Sequence, residues 1–131
     1  MKRVIKCKRL TEEQIQSLDG ASVFDPVDLD DAIVDVRPSK DGAIAVYDYD
    51  MLCEKYFDDT EDGTYEHAQE YVDYNMVRAL PYMSARAPII GQVVRRVAMR
   101  DYGEELKALD REEYGEDAEF FVLGNAVYVR L

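Results

Sequence analysis

The sequence has no tryptophan, one histidine and only two cysteines among its 131 residues. Cys7 and Cys53 stand in no CxxC pair and at no spacing typical of a zinc site, which favours two free thiols over a disulfide framework. His67 is not accompanied by a nucleophile signature, and a solvated histidine explains it better. The phosphate-binding glycine loop, HExxH and GxSxG are missing as well. These absences predict a protein with no catalytic residues, no cofactor and no metal.

Long apolar runs are also missing. No stretch approaches the ~18–20 residues that a membrane-spanning helix needs. The first eight residues, MKRVIKCK, are basic but lack the apolar core of a signal peptide. We therefore expect a cytoplasmic protein that does not associate with membranes. A hydrophobic fraction of 47 % supports a folded core, and the length predicts a single domain over 1–131.

Acidic residues outnumber basic ones by 28 to 16, which gives a formal net charge of −12. The charges are grouped: residues 1–10 carry five bases and no acid, 48–73 carry ten acids and one base, and 74–100 carry five arginines and no acid. Such grouping produces charged surface patches, unless the basic and acidic segments fold against one another and neutralise each other. Because phosphates are repelled by so acidic a chain, we expect no direct nucleic-acid binding and, as partner, a basic or nucleic-acid-binding protein.

Hydrophobic periodicity and turn residues predict an alternation of strands and helices. Thr11-Glu12-Glu13-Gln14 fits a capping box, and Gly20 ends that helix. Asp41-Gly42 and Gly124-Asn125 are typical of hairpin turns. The predicted strands are 3–9, 32–36, 43–47, 89–97 (with a helix as the alternative) and the two that flank Gly124; the predicted helices are 11–20, 49–57, 64–80 and 102–109; the predicted loops are 21–31 and 58–63. This order predicts an α+β fold with a mostly antiparallel sheet and two to four packed amphipathic helices.

The helix predicted to begin near Thr64 and to bend or end at Pro81 has a buried stripe and an acidic face. Its apolar residues recur at steps of three and four: Tyr65, Ala68, Val72, Met76, Ala79 and Met83. Three acids lie about one turn apart, roughly opposite this stripe, and they continue a negative run from the preceding loop. The candidate partner-binding residues are Asp58, Asp59, Glu61, Asp62, Glu66, Glu70, Asp73, Tyr71 and Tyr74. A solubilising acidic face with tyrosines that cover the core is the alternative interpretation.

The acidic loop partly fits a calcium-binding loop. Asp58, Asp62 and Gly63 occupy its first, fifth and sixth positions. The twelfth position, which needs a bidentate glutamate, is Gln69. A plain acidic loop with an Asp-Gly turn is therefore favoured over a calcium site.

Two further short patterns are better explained by structure than by chemistry. Asp48-Tyr49-Asp50 has the DxD pattern of metal–nucleotide sites. However, Asp48 fits a helix N-cap and Asp50 complements the helix dipole. Glu105-Leu106-Lys107 has the ExK spacing of some nucleases, but it lies in a segment with a helical period.

Four segments within residues 30–90 resemble a family of small acidic proteins of phages, prophages and gut bacteria. The segments are DDAIV (30–34), VYDYD (46–50), DYNMVRALPYM (73–83) and APII (87–90). The YNxxRALPY core is the most specific part, and the resemblance covers nearly half of the chain. Since no activity is established for that family, the resemblance implies a context, a phage or mobile element in a bacterial host cell, and no catalytic residues.

The leading expectation is a non-enzymatic accessory protein whose acidic surface mimics nucleic acid and occupies the basic groove of a host enzyme, such as a CRISPR effector or a restriction enzyme. One alternative is a structural or regulatory interaction module, for which a homodimer is an option. A divalent-metal binder or metal-dependent enzyme is the second alternative.

Overall fold

The computed structural model describes residues 4–24, 27–59, 64–96 and 118–131, with the backbone alone at 58 and 59. Helices accompany a five-stranded, mostly antiparallel sheet, which confirms the predicted α+β class. The chain divides into two compact units, Met1–Ile90 and Gly91–Leu131. The single domain expected over 1–131 stays a prediction.

From the first α-helix onward, strands and helices are interspersed along the described ranges. They are α1 (Glu12–Ser17), a first 3₁₀ helix (Val27–Ala32), β1 (Ile33–Arg37), β2 (Ile44–Asp48), α2 (Tyr49–Asp59), α3 (Tyr65–Val72), a π-helical turn (Asp73–Val77), a second 3₁₀ helix (Leu80–Tyr82), β3 (Ile89–Arg96), β4 (Phe120–Leu123) and β5 (Ala126–Arg130). The strand order is β1-β2-β3-β5-β4. No helix in the ranges given above is long and apolar enough to cross a membrane. The helix predicted at 102–109 lies outside the described residues.

The first helix begins at the predicted capping box. The hydroxyl oxygen of Thr11 accepts a hydrogen bond from the Gln14 backbone N–H at 3.1 Å, and the Thr11 N–H donates to Gln14 Oε1 at 2.9 Å. Two of the N–H groups that a helix start leaves without partners are satisfied in this way. The helix ends before Gly20, whose φ of +83° is the left-handed conformation that favours glycine.

The first hairpin also confirms the prediction. β1 and β2 pair antiparallel, with an irregularity in register between Ile33 and Asp35. In the turn, the Gly42 N–H donates to the Ser39 carbonyl at 3.2 Å, and the Ser39 hydroxyl donates back to the Gly42 carbonyl. Gly42 has a φ of +122°, a conformation that side chains rarely adopt, so the glycine is required there.

The strand predicted at 3–9 is wrong, because residues 4–9 form no strand in the structure. Their polar groups bond to distant side chains and carbonyls instead of forming a strand ladder. The Lys6 N–H donates to Asp30 Oδ2 at 2.9 Å, and Arg9 Nη1 donates to the Ile33 carbonyl at 3.1 Å. The loop predicted at 21–31 is wrong in its second half, where the first 3₁₀ helix buries Leu29 and Asp30.

The core of the first unit lies between the hairpin and the helices. Tyr47, Ile33, Leu52 and Val72 are fully enclosed there. Each side chain of this size contributes about 1.5–3 kcal/mol on burial. The Tyr47 ring packs on Phe24 at 4.9 Å between centroids, and its hydroxyl accepts a hydrogen bond from the Phe24 N–H at 3.1 Å.

The guanidinium of Arg86 joins two loops of the first unit. It donates to the carbonyls of Ser17 at 3.0 Å, Asp19 at 2.8 Å and Ala43 at 3.1 Å. The first two carbonyls lie at the carboxyl end of α1, where a positive charge complements the helix dipole. Gly20 and Gly42 make room for the arginine: a Cβ on the former would lie 3.1 Å from Arg86 Nη1, and on the latter 2.7 Å from Nε.

The second unit is built on antiparallel pairing of β5 with both β3 and β4. β4 and β5 form the predicted hairpin, with Gly124 at a φ of +58°. The strand assignment of 89–97 is confirmed over its helical alternative. The rings of Phe121 and Tyr128 stack at 5.2 Å, and a Cβ on Gly91 would lie 2.4 Å from Phe121 Cζ. Only glycine leaves space for this aromatic pair.

Candidate binding surface

Two side-chain caps fix the helix pair that carries the predicted acidic face. Asp48 Oδ1 accepts a hydrogen bond from the Met51 N–H at 3.0 Å, which confirms Asp48 as the N-cap of α2. Thr64 caps α3 by accepting from the His67 N–H at 3.1 Å. α2 runs through Asp59, so the predicted helix end at residue 57 is wrong by two residues. Asp58 and Asp59 therefore belong to the last turn of α2 rather than to a loop.

Four residues of the predicted loop, 60–63, lie outside the described residues, and Glu61 and Asp62 are among them. The calcium-loop pattern thus lies partly outside the described residues, and the ExK pattern at 105–107 lies wholly outside them. Among the residues that the structure does describe, no group of three or more His, Cys, Asp or Glu side chains could hold a metal ion.

The buried stripe of α3 is confirmed at its centre. Ala68, Val72 and Met76 are buried, and Tyr65 and Met83 are half-buried against the core. Ala79, the remaining stripe residue, is half-buried.

The predicted continuous helix over 64–80 is wrong beyond residue 72. The backbone widens into the π-helical turn, in which the Arg78 N–H donates to the Asp73 carbonyl at 3.1 Å, five residues back. A turn of this width keeps Met76 on the buried side while Tyr74 and Asn75 face solvent. The side-chain amide of Asn75 donates to the Tyr71 carbonyl at 3.1 Å and so supports the altered backbone.

The acids predicted on the solvent side of this segment are exposed. Glu66, Glu70 and Asp73 all lie on the surface, as the three- and four-residue spacing predicted. No Lys or Arg among the described residues forms an ion pair with Glu66 or Glu70. Within the described part of the chain, their charges are therefore left without an ion-pair partner. Their role in binding stays a prediction.

Asp73 differs from the two glutamates because a buried tyrosine holds it. The Tyr49 hydroxyl donates to Asp73 Oδ1 at 2.8 Å. Burial, and next this hydrogen bond, raise the pKa of Tyr49 well above its ordinary value, so the hydroxyl stays protonated and remains a donor. The carboxylate of Asp73 is thus fixed in position at the start of the π-helical turn.

The neighbouring thiol is unsuited to catalysis. Cys53 is fully buried, and burial raises its pKa to about 12. A thiol with so high a pKa stays protonated and is a poor nucleophile at neutral pH. Burial likewise raises the pKa of Tyr65 to about 12, with further contributions from negative groups that include Asp50 and Glu54. The surroundings of Tyr65 are therefore both apolar and negatively charged.

The two tyrosines predicted as binding anchors have different surroundings. Tyr71 stacks on Tyr56 of α2 at 3.9 Å with an interplanar angle of 6°, so one face of its ring is occupied by the helix pair itself. Tyr74 is 68 % exposed, and Arg78 lies 5.5 Å from the centre of its ring. Tyr82, which the sequence analysis did not include, is 90 % exposed. In the sequence, the one indication of its exposure was its position between Pro81 and Met83, the last residue of the buried stripe.

Comparisons of the chain with known proteins give no match, either to a protein-family model, to a curated protein or to a solved structure. The resemblance of residues 30–90 to a family of phage and gut-bacterial proteins stays a prediction.

Proposed function

We propose that this chain is a non-enzymatic accessory protein of a phage or mobile element that binds a basic, nucleic-acid-binding host protein through the acidic face of α3. The host protein is an enzyme with a nucleic-acid groove, for example a CRISPR effector or a restriction enzyme. The observation that carries the proposal is the pair of exposed carboxylates, Glu66 and Glu70, which form no ion pair with a described Lys or Arg.

The physical basis is competition for the same cations. Lysines and arginines that line a nucleic-acid groove bind phosphates, which lie one charge per ~3.4 Å along a strand. Carboxylates one helical turn apart, about 6 Å, present negative charges at a spacing within a factor of two of this value. A net charge of −12 attracts such a groove over a long range and speeds association. This attraction is screened by salt.

Rigidity supports the same function. The α2–α3 pair is fixed by two N-caps, by the Tyr56–Tyr71 stack and by the Tyr49–Asp73 hydrogen bond. A preformed acidic face loses little side-chain and loop entropy on binding, so more of the electrostatic attraction remains as affinity.

The test is displacement of DNA from purified host-type enzymes. Labelled DNA is bound to a CRISPR effector or a restriction enzyme, the protein is added, and fluorescence anisotropy reports the released DNA. We expect release of DNA at low salt. Because salt also weakens the DNA complex, the salt dependence is read from direct binding of the labelled protein to the enzyme without DNA, which should weaken at least tenfold when the salt is raised from about 50 to about 300 mM. Glu66→Lys combined with Glu70→Lys should abolish competition.

The matched control reverses two exposed glutamates on another helix. Glu12→Lys combined with Glu13→Lys on α1 makes the same change in net charge and should leave most of the competition intact. Circular dichroism verifies that both double variants are folded. Direct binding that does not change with salt, or competition that survives the reversal at Glu66 and Glu70, contradicts the proposal.

A further inference from the structure

A second surface lies directly after the acidic face along the chain. It is an open groove lined by Tyr74, Arg78, Ala79, Pro81 and Tyr82, which we call the Tyr74–Tyr82 groove. Two tyrosines that are 68 % and 90 % exposed are costly to leave in water. Exposed aromatic surface of this kind is typical of interaction sites.

The backbone holds the groove in a fixed shape. The Tyr82 N–H donates to the Ala79 carbonyl at 3.0 Å, and the ring of Pro81 restricts the second 3₁₀ helix between them. Upstream, the π-helical turn is closed by the hydrogen bond from Arg78 to Asp73. Tyr74 and Tyr82 are thus presented from rigid segments, as binding anchors are.

One ring of the groove already has a guanidinium over it. Arg78 lies over the ring of Tyr74 at 5.5 Å, so this ring already binds a guanidinium from its own chain. Glu70 and Asp73 precede Tyr74 in the sequence, and both are exposed. The segment that leads into the groove is therefore acidic, and charge complementarity favours a basic occupant.

We propose that the Tyr74–Tyr82 groove binds an arginine-bearing segment of the partner protein. The arginine takes the place of Arg78 on the ring of Tyr74. An apolar side chain next to that arginine packs over Ala79 and Pro81, against Tyr82. Arginine is favoured over lysine because its planar guanidinium both stacks on an aromatic ring and pairs with a carboxylate through two hydrogen bonds.

This inference rests on the proposed function only in that the partner is basic, and its test uses no host enzyme. A phage-displayed library of random twelve-residue peptides is selected on the full-length protein, and enriched peptides are synthesised and titrated by fluorescence anisotropy. We expect the enriched peptides to share an arginine next to an apolar residue. Replacing that arginine by lysine should weaken binding at least fivefold, and Tyr82→Ala, a change at an exposed position, should weaken it at least tenfold.

Arg78 supplies a variant with the opposite effect. Arg78→Met keeps the aliphatic stem in the groove but frees the ring of Tyr74, so peptide binding should tighten about two- to fivefold. Lys40→Met, at an exposed turn position outside the groove, makes the same change in net charge and should alter binding less than twofold. Equal effects of the two methionine variants would show that net charge alone matters and would overturn the inference.

Other outcomes separate this inference from the proposed function. Enriched peptides without arginine, or with affinity unchanged by Tyr82→Ala, overturn the groove inference and leave the DNA-displacement test unaffected. A mass twice that of the chain in light scattering, reduced to the monomer by Tyr82→Ala, would make a second copy the occupant and would also overturn it. Tyrosine-dependent binding of arginine peptides, together with failure of DNA displacement, would support the groove and remove the proposed function.

Discussion

Replacing Arg86 by alanine should destabilise the first unit by about 3 kcal/mol. The guanidinium makes three hydrogen bonds to carbonyls, at 2.8–3.1 Å, and these join the end of α1 to the turn of the first hairpin. A hydrogen bond to a charged group contributes ~1.5–3 kcal/mol when buried. These carbonyls are exposed or partly buried, so water replaces part of each bond and about 1 kcal/mol per bond is the better estimate. For a chain of this length the loss corresponds to a fall in Tm of about 10 °C.

Urea denaturation followed by circular dichroism measures this loss. Arg86→Lys should lose about 2 kcal/mol, because one ammonium cannot reach three carbonyls in the geometry of a guanidinium. Arg78→Ala is the matched control, since it removes an exposed guanidinium that lies over the ring of Tyr74, and it should cost at most about 1 kcal/mol. A loss below about 1 kcal/mol for Arg86→Ala, or full stability of Arg86→Lys, would refute the reasoning.

A double-mutant cycle with Gly42 isolates the contact itself. Gly42→Ala should be destabilising because its Cβ would lie 2.7 Å from Arg86 Nε and because its φ of +122° suits only glycine. In the Arg86→Ala background the clash is gone and only the backbone strain remains. The cost of Gly42→Ala should therefore be smaller there, by about 1 kcal/mol, whereas additive losses would show that the two residues do not interact.

Three further predictions concern pH, packing and capping. The pKa values of Cys53 and Tyr65 are raised from 9.0 and 10.0 to about 12, so their stabilising contributions are complete below pH 9 and are lost as the pH rises toward 12. The free energy of unfolding, measured by urea denaturation from pH 8 to 11, should fall by up to about 1.4 kcal/mol per pH unit and group, and less steeply in Cys53→Ala. Gly91→Ala should cost about 2 kcal/mol by overpacking against Phe121, and Phe121→Leu in the same chain should recover part of that loss in thermal melts. Asp48→Ala should cost about 1 kcal/mol through loss of the α2 N-cap, and Asp48→Asn, which keeps an acceptor oxygen, should melt closer to the wild-type protein.

Local signals in the sequence predicted the elements whose causes are local. The capping box at Thr11 and Gln14 and the glycine turns at Gly42 and Gly124 need only neighbouring residues, and all are present in the structure. The exposure of Glu66 likewise followed from helical spacing alone. Both hairpins and the strand assignment of 89–97 followed from the same kind of reasoning.

The errors have long-range causes. Residues 4–9 alternate like a strand, but the Lys6 N–H bonds to Asp30, 24 residues away, and no pattern near either residue indicates that pairing. The π-helical turn depends on how Met76 packs in the core. The stack of Tyr71 on Tyr56 depends on the pairing of α2 with α3. The sequence therefore indicated Tyr71 as a binding anchor but could not indicate that Tyr56 covers one face of its ring.

The position of Arg86 in the chain also bears on the order in which the molecule forms during synthesis. α1 has six residues, and a helix this short does not persist in water without contacts to the rest of the protein. The carbonyls of Asp19 and Ser17, at its carboxyl end, bond to Arg86, which lies 67 and 69 positions further along the chain. A nascent chain must therefore be extended as far as Arg86 before these bonds can form, and α1 should be among the last helices of its unit to resist amide exchange on the ribosome.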